Sequence, residues 1–66
     1  MGRGFTKQLA HQQLTNLSDS QAEKWVKEAE EDYIRRLNLG ATEKNARDLA
    51  VKHANVKLIG NRAYNV

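Results

Sequence analysis

The chain has 66 residues, a net charge of +3 and no cysteine. A chain this short forms one small domain with a marginal core, and without cysteine it has neither disulfides nor thiolate metal sites. No apolar run approaches the ~18 residues of a membrane span, and no signal-peptide core is present. We therefore expect a single small helical domain over residues 1–66, soluble and located in the cytoplasm.

The charged residues are unevenly distributed along the chain. Residues 1–18 carry two bases and no acid, whereas residues 19–40 carry six acids against four bases. Residues 41–66 carry five bases against two acids. Both ends are therefore basic and the middle is acidic, so a polyanion would contact the ends and a basic partner protein would contact the middle.

The first predicted element is a short helix. Two glycines flank Arg3, and residues 1–5 are predicted to form a mobile arm. Thr6 can cap a helix that runs to about Asn16. Its apolar side would consist of Phe5, Leu9, Ala10, Leu14 and Leu17.

The second predicted element is a long helix over residues 21–38. Ser20 can serve as the N-cap, with Glu23 three residues later completing a capping box. The apolar residues recur at steps of three and four, as on one helix face: Ala22, Trp25, Val26, Ala29, Tyr33 and Leu37. The solvated side would carry Glu28, Glu30, Glu31 and Asp32. Gly40 can close the helix in the left-handed conformation.

The third predicted helix begins after Thr42, which can cap it. Its buried stripe would be Ala46, Leu49, Ala50, His53 and Ala54. The fold class is thus mainly α, a small three-helix domain with Trp25 as the largest core residue. Residues 55–66 remain open between two structures: a short helix that completes a helix-turn-helix, or a C-terminal β-hairpin.

The helix-turn-helix interpretation depends on the spacing of four residues after Ala46. Ala50, Val51, Val56 and Ile59 follow it at offsets of +4, +5, +10 and +13. With this spacing, residues 42–61 resemble a helix-turn-helix motif with its turn at 51–53. The resemblance implies a recognition helix near 53–60 in the major groove of DNA. The side chains facing the groove would be Lys52, His53, Lys57 and Asn61.

The hairpin interpretation depends on the residues from Asn55 onward. Asn55 tolerates the left-handed conformation that ends a helix, and Gly60-Asn61 is a typical two-residue hairpin turn. The strand formers on either side of the turn are Val56, Ile59, Tyr64 and Val66. The sequence does not decide between this hairpin and the helix-turn-helix.

The residue types that carry catalysis are not arranged for it. His11 and His53 are not spaced to place two metal ligands on one helix face, and neither a glycine-rich phosphate loop nor a nucleophile elbow is present. A catalytic carboxylate pair needs a cleft that shifts one pKa, and so small a domain has little room for one. We expect no enzyme activity, no cofactor and no metal site.

The leading interpretation is a small regulatory protein that binds duplex DNA through residues 42–61. The side chains available to DNA are Arg3, Lys44, Arg47, Lys52, His53, Lys57, Asn61 and Arg62. The alternative is a protein-binding adaptor or inhibitor that uses the acidic helix 21–38 or the edge of a C-terminal hairpin. Proteins of this size are often encoded by bacteriophages or mobile elements. We expect no small-molecule substrate and no membrane association, and a homodimer is compatible with either function.

Overall fold

A computed structural model of the chain describes residues 4–59. Over this range the protein consists of three helices and no strand: α1 (Lys7–Gln13), α2 (Asp19–Asn38) and α3 (Glu43–Ile59). Helices α2 and α3 pack along each other as an antiparallel pair, and α1 packs against α2. The predicted three-helix, mainly α plan is therefore confirmed for the described residues, none of whose helices has the length and apolar character to cross a membrane.

The first helix begins where the sequence predicts and ends earlier. The hydroxyl of Thr6 accepts a hydrogen bond from the backbone N–H of Leu9 at 3.1 Å, which caps α1. Leu14 has already left the helical conformation, with φ −132° and ψ 117°. The extended backbone at Leu14 allows its side chain and that of Leu17 to pack against the core. The predicted end near Asn16 was therefore about one turn too late.

The second helix starts at Asp19, because Ser18 caps it and not the predicted Ser20. The hydroxyl of Ser18 accepts from the N–H of Gln21 at 3.2 Å, and the Gln21 side chain accepts from the N–H of Ser18 at 3.0 Å. This reciprocal pair is a capping box with glutamine in the third position. It satisfies the N–H groups of Ser18 and Gln21, where the predicted pair would satisfy those of Ser20 and Glu23, and it begins the helix two residues earlier.

The connection between α2 and α3 follows the prediction. Gly40 has φ +102° and ends α2 in the left-handed region, which glycine adopts without strain. Two residues later the hydroxyl of Thr42 accepts from the N–H of Asn45 at 3.2 Å and caps α3. This short connection holds the two long helices side by side.

The core consists of a few aromatic side chains surrounded by alanines. Trp25 is fully buried, as predicted, and is the largest side chain of the core. The other buried apolar residues are Phe5, Ala10, Ala22, Ala29, Tyr33, Ala46, Ala50 and Ala54. Small alanine side chains allow helix backbones to approach closely, which leaves the aromatic rings to fill the remaining volume.

Phe5 belongs to this core, so the predicted mobile arm does not extend to residue 5. Its ring is only 2% exposed and lies 6.3 Å from the ring of Trp25 and 5.6 Å from that of Tyr33. The guanidinium of Arg47 lies over the same ring at 5.1 Å. Burying an aromatic ring among aromatic neighbours is favourable enough to order the segment that carries it. Arg3 lies outside the described residues.

Helix α3 passes without interruption through residues 51–53, where the helix-turn-helix interpretation places its turn. Ala50 stands where a turn glycine is usual and favours the helix, and no capping residue follows at 52 or 53 to start a second one. The first strand of the predicted hairpin, at 56–59, is also helical. Residues 60–66, which would carry the second strand, lie outside the described residues.

Candidate interaction surface

The basic residues of α3 that were predicted to contact DNA point in several directions. Lys44, Lys52 and Lys57 are exposed, but Lys52 and Lys57 are five residues apart. At about 100° per residue their side chains are separated by about 140° around the helix axis. Arg47 lies against the ring of Phe5. The residues predicted to form one groove-facing surface therefore do not share one face of α3, and Asn61 and Arg62 lie outside the described range.

His53 contacts the second helix. Its Nε2 lies 3.2 Å from Oε1 of Glu28, and its Nδ1 lies 3.9 Å from Oδ1 of Asp32. The predicted position of both carboxylates on the solvated side of α2 is wrong: Asp32 is buried and Glu28 is half-buried. The antiparallel packing of α2 and α3 brings residues 25 positions apart into contact, which no local pattern indicates.

Among the described residues, Asp32 is the charged residue that is buried. Its carboxylate accepts hydrogen bonds from Arg35 and from Nε of Arg36, the latter at 2.5 Å. Burial raises the pKa of Asp32, but the hydrogen bonds from Arg36 and Arg35 and the charge of His53 outweigh it and hold that pKa below its usual value. The cluster thus keeps a carboxylate ionised inside the packed helix pair.

A second polar contact connects all three helices. Nε1 of Trp25 donates to Oδ1 of Asn55 at 2.8 Å, and Nδ2 of Asn55 donates to Oε1 of Gln13 at 3.1 Å. The indole N–H is the polar group of an otherwise apolar core residue, and Asn55 satisfies it. Both polar clusters serve the packing of the helices. Among residues 4–59 no three potential ligands are grouped in a way that could hold a metal ion.

The outer surface of α3 carries a row of exposed side chains that we call the outer stripe: Leu49, Lys52, Val56 and Ile59. They follow one another at steps of three, four and three residues, so they lie along one side of the helix. Leu49 is 39% exposed, Val56 46% and Ile59 40%. The stripe lies opposite the buried alanines of α3 and is therefore turned away from the core.

Other exposed apolar side chains stand apart from this stripe. Ile34 is 40% exposed on α2, where its helix neighbours at positions 30, 31 and 35 are charged. Leu39 is exposed in the connection after α2. Single exposed apolar residues are ordinary on protein surfaces, so the aligned residues of the outer stripe are the candidate binding surface of the described chain.

An open groove of about 550 Å³ adjoins the end of the stripe. The α1–α2 connection forms one wall with Leu14 and Leu17, and the last turn of α3 forms the other with Leu58 and Ile59. Ile59 thus belongs to both the groove and the outer stripe. The apolar surface of α3 continues from its middle to the last described residue.

Comparison of the chain with protein-family models, with curated proteins and with solved structures found no match.

Proposed function

We propose that the chain is a non-catalytic protein-interaction domain that binds its partner through the outer stripe of α3. The observation that carries the proposal is the alignment of Leu49, Val56 and Ile59, each about two fifths exposed, on one face of a continuous helix. Burying such a side chain fully is worth ~1.5–3 kcal/mol, so covering the exposed part of each contributes about 1 kcal/mol. Three aligned residues supply the apolar centre around which an interface forms.

The acidic helix α2 is a weaker candidate for the binding surface. Asp32 is buried beneath two arginines, and Glu28 contacts His53. Lys24, Lys27 and Arg35 lie among its remaining exposed acids. A surface of mixed charges offers little net attraction for a basic partner. The apolar row on α3 therefore supports the proposed adaptor function better than the predicted acidic face does.

The test is capture of a partner from extracts of the cells that produce the chain. The parent protein, the double variant Leu49→Ser/Val56→Ser and the control Ile34→Ser are immobilised separately. Ile34 is as exposed as Ile59 but lies on α2. We expect the parent and the control to retain the same protein and the stripe variant to lose it. Equal retention by all three would overturn the proposal.

Duplex DNA is the second candidate partner, because α3 carries four bases against two acids. Lys44 and Lys52 are exposed and able to contact phosphates. Nonspecific DNA binding is strongest at low salt, so the measurement is a titration with duplex DNA at ~50 mM salt. Binding that weakens in Lys44→Ala/Lys52→Ala and survives in Leu49→Ser/Val56→Ser would favour DNA over a protein partner. No binding by the parent at this salt would end this candidate.

A further inference from the structure

The outer stripe has the spacing of a coiled-coil seam. Leu49 and Val56 are seven residues apart, as are Lys52 and Ile59, and the two pairs interleave at steps of three and four. In heptad terms Leu49 and Val56 occupy a positions, and Lys52 and Ile59 occupy d positions. The row spans about 15 Å at 1.5 Å per residue. A straight row with this period matches a second helix lying along α3.

Lys52 determines which type of residue the second helix must place opposite it. Lys52 stands between Leu49 and Val56 in the stripe and is exposed, so a helix that covers the stripe also lies over this residue. A charge removed from water without an opposite charge is strongly disfavoured. The partner must therefore place a carboxylate at the position facing Lys52.

A second copy of this chain brings no acid from within its own stripe, and its nearest exposed acid on this side, Asp48, lies beside the stripe. If two α3 helices paired in parallel, Lys52 would face Lys52. If they paired in antiparallel fashion, Lys52 would face an apolar residue of the stripe, because a and d positions then oppose each other. Neither arrangement places an acid within the stripe, since its other members are Leu49, Val56 and Ile59.

We infer that the partner presents an acidic amphipathic helix, with apolar residues against Leu49, Val56 and Ile59 and a glutamate or aspartate against Lys52. This inference rests on the proposed protein-binding function and specifies the partner for the same surface. Apolar burial supplies the affinity, and the ion pair at Lys52 sets the register and excludes helices with a basic or neutral residue at that position.

The test uses two designed helical peptides of three heptads. Both carry leucine at every seam position except one in the centre. That central position and the positions flanking the seam are glutamate in the acidic peptide and lysine in the basic one. Affinities are measured by fluorescence anisotropy at two salt concentrations, and binding is mapped by the amide shifts of isotope-labelled protein. We expect the acidic peptide to bind at least about tenfold more tightly, with the shifts along residues 49–59 and weaker binding at high salt.

A charge reversal makes the test specific to Lys52. In Lys52→Glu the preference should invert, so that the basic peptide binds more tightly than the acidic one. Lys27→Glu, which makes the same change at an exposed position of α2, should leave the preference as it is in the parent. Leu49→Ser/Val56→Ser should lose both peptides. These three variants separate the effect of the seam from the effect of overall net charge.

Several outcomes would overturn the inference, and they differ in what they imply for the proposed function. Equal binding of both peptides along 49–59, or a stripe-dependent homodimer in sedimentation, would refute the acidic partner and leave the stripe as a docking surface. Binding of neither peptide, combined with capture from extracts that depends on Leu49 and Val56, would refute a helical acidic partner while the protein-interaction function stands. Binding of neither, with capture independent of the stripe, would refute both.

Discussion

The indole N–H of Trp25 donates a hydrogen bond to the side-chain carbonyl of Asn55, 30 residues away, at 2.8 Å. Asn55 is the residue at which the hairpin interpretation ends the third helix. Because its amide binds both Trp25 and Gln13, Asn55 has a structural role within the helix. This contact connects the central core residue to the last third of α3 and keeps the residues on either side of Asn55 in one helix.

Replacing Asn55 by alanine should therefore destabilise the protein, although alanine is the better helix former. The indole N–H would be left buried without an acceptor, which costs about 1–3 kcal/mol. Asn45→Ala is the control, because it makes the same substitution at an exposed position of the same helix. Urea unfolding followed by circular dichroism should show a lower midpoint for Asn55→Ala alone. Equal midpoints for the two variants would show that the Trp25–Asn55 contact contributes nothing.

The alanine-lined packing of α3 should not tolerate a larger side chain. Ala50 is fully buried, so Ala50→Leu must move the neighbouring helices apart at a cost of about 1–3 kcal/mol. Leucine and alanine have similar helix propensities, so the loss would come from packing. Asp48→Leu adds the same side chain to an exposed position of α3 and serves as the control. A thermal midpoint that falls equally in both variants would contradict close packing at Ala50.

The buried carboxylate of Asp32 should make stability depend on pH in the acid range. Its folded-state pKa lies below the ordinary value of 3.8, so the ionised form stabilises the protein above that pH. This contribution is lost as the pH falls through the lower folded-state pKa. Asp32→Asn should be less stable than the parent at neutral pH by roughly 1–3 kcal/mol, because charge-assisted hydrogen bonds are lost.

The measurement is the unfolding free energy of both proteins from about pH 7 to about pH 2.5, a range that spans the titration of carboxylates. The difference between parent and Asp32→Asn should shrink toward the acid end. Glu31→Gln is the control, because it removes an exposed carboxylate from the same helix. If Asp32→Asn and Glu31→Gln behave alike at every pH, Asp32 is not stabilised by its arginine partners.

Phe5 should be required for the fold, in contrast to the mobile arm that the glycines on either side of Arg3 indicate. Phe5→Ala removes a buried ring and should cost about 3–5 kcal/mol, a large part of the stability of so small a domain. Phe5→Leu keeps most of the apolar volume and should retain a cooperative melting transition with a lower midpoint. A melting curve for Phe5→Ala that matches the parent would show that residue 5 lies outside the core.

The sequence predicted the elements whose signals are local. The caps at Thr6 and Thr42, the left-handed Gly40 and the burial of Trp25 all follow from short-range patterns, and all are present. The helix positions followed the three-to-four spacing of apolar residues. Where two capping signals competed, as at Ser18 and Ser20, the local pattern alone did not select the correct one.

The contacts that depend on packing between helices were not predictable in this way. Leu49 follows Ala46 by three residues, and this spacing predicts a buried residue. It is 39% exposed because the alanines draw α3 toward α2 on their own side and turn Leu49 outward. Asp32 differs from its prediction in the opposite direction, because an aspartate with acidic sequence neighbours is expected to be exposed to solvent. Only the approach of α3 buries it beside His53.

The continuity of α3 is the claim on which the outer stripe depends, because Leu49 and Val56 share a face only if residues 51–53 are helical. Backbone ¹³Cα chemical shifts of the labelled protein test it most directly. We predict helical shifts without interruption from Glu43 to Ile59. Random-coil shifts at 51–53, or strand shifts at 56–59, would contradict the continuous helix and with it the stripe.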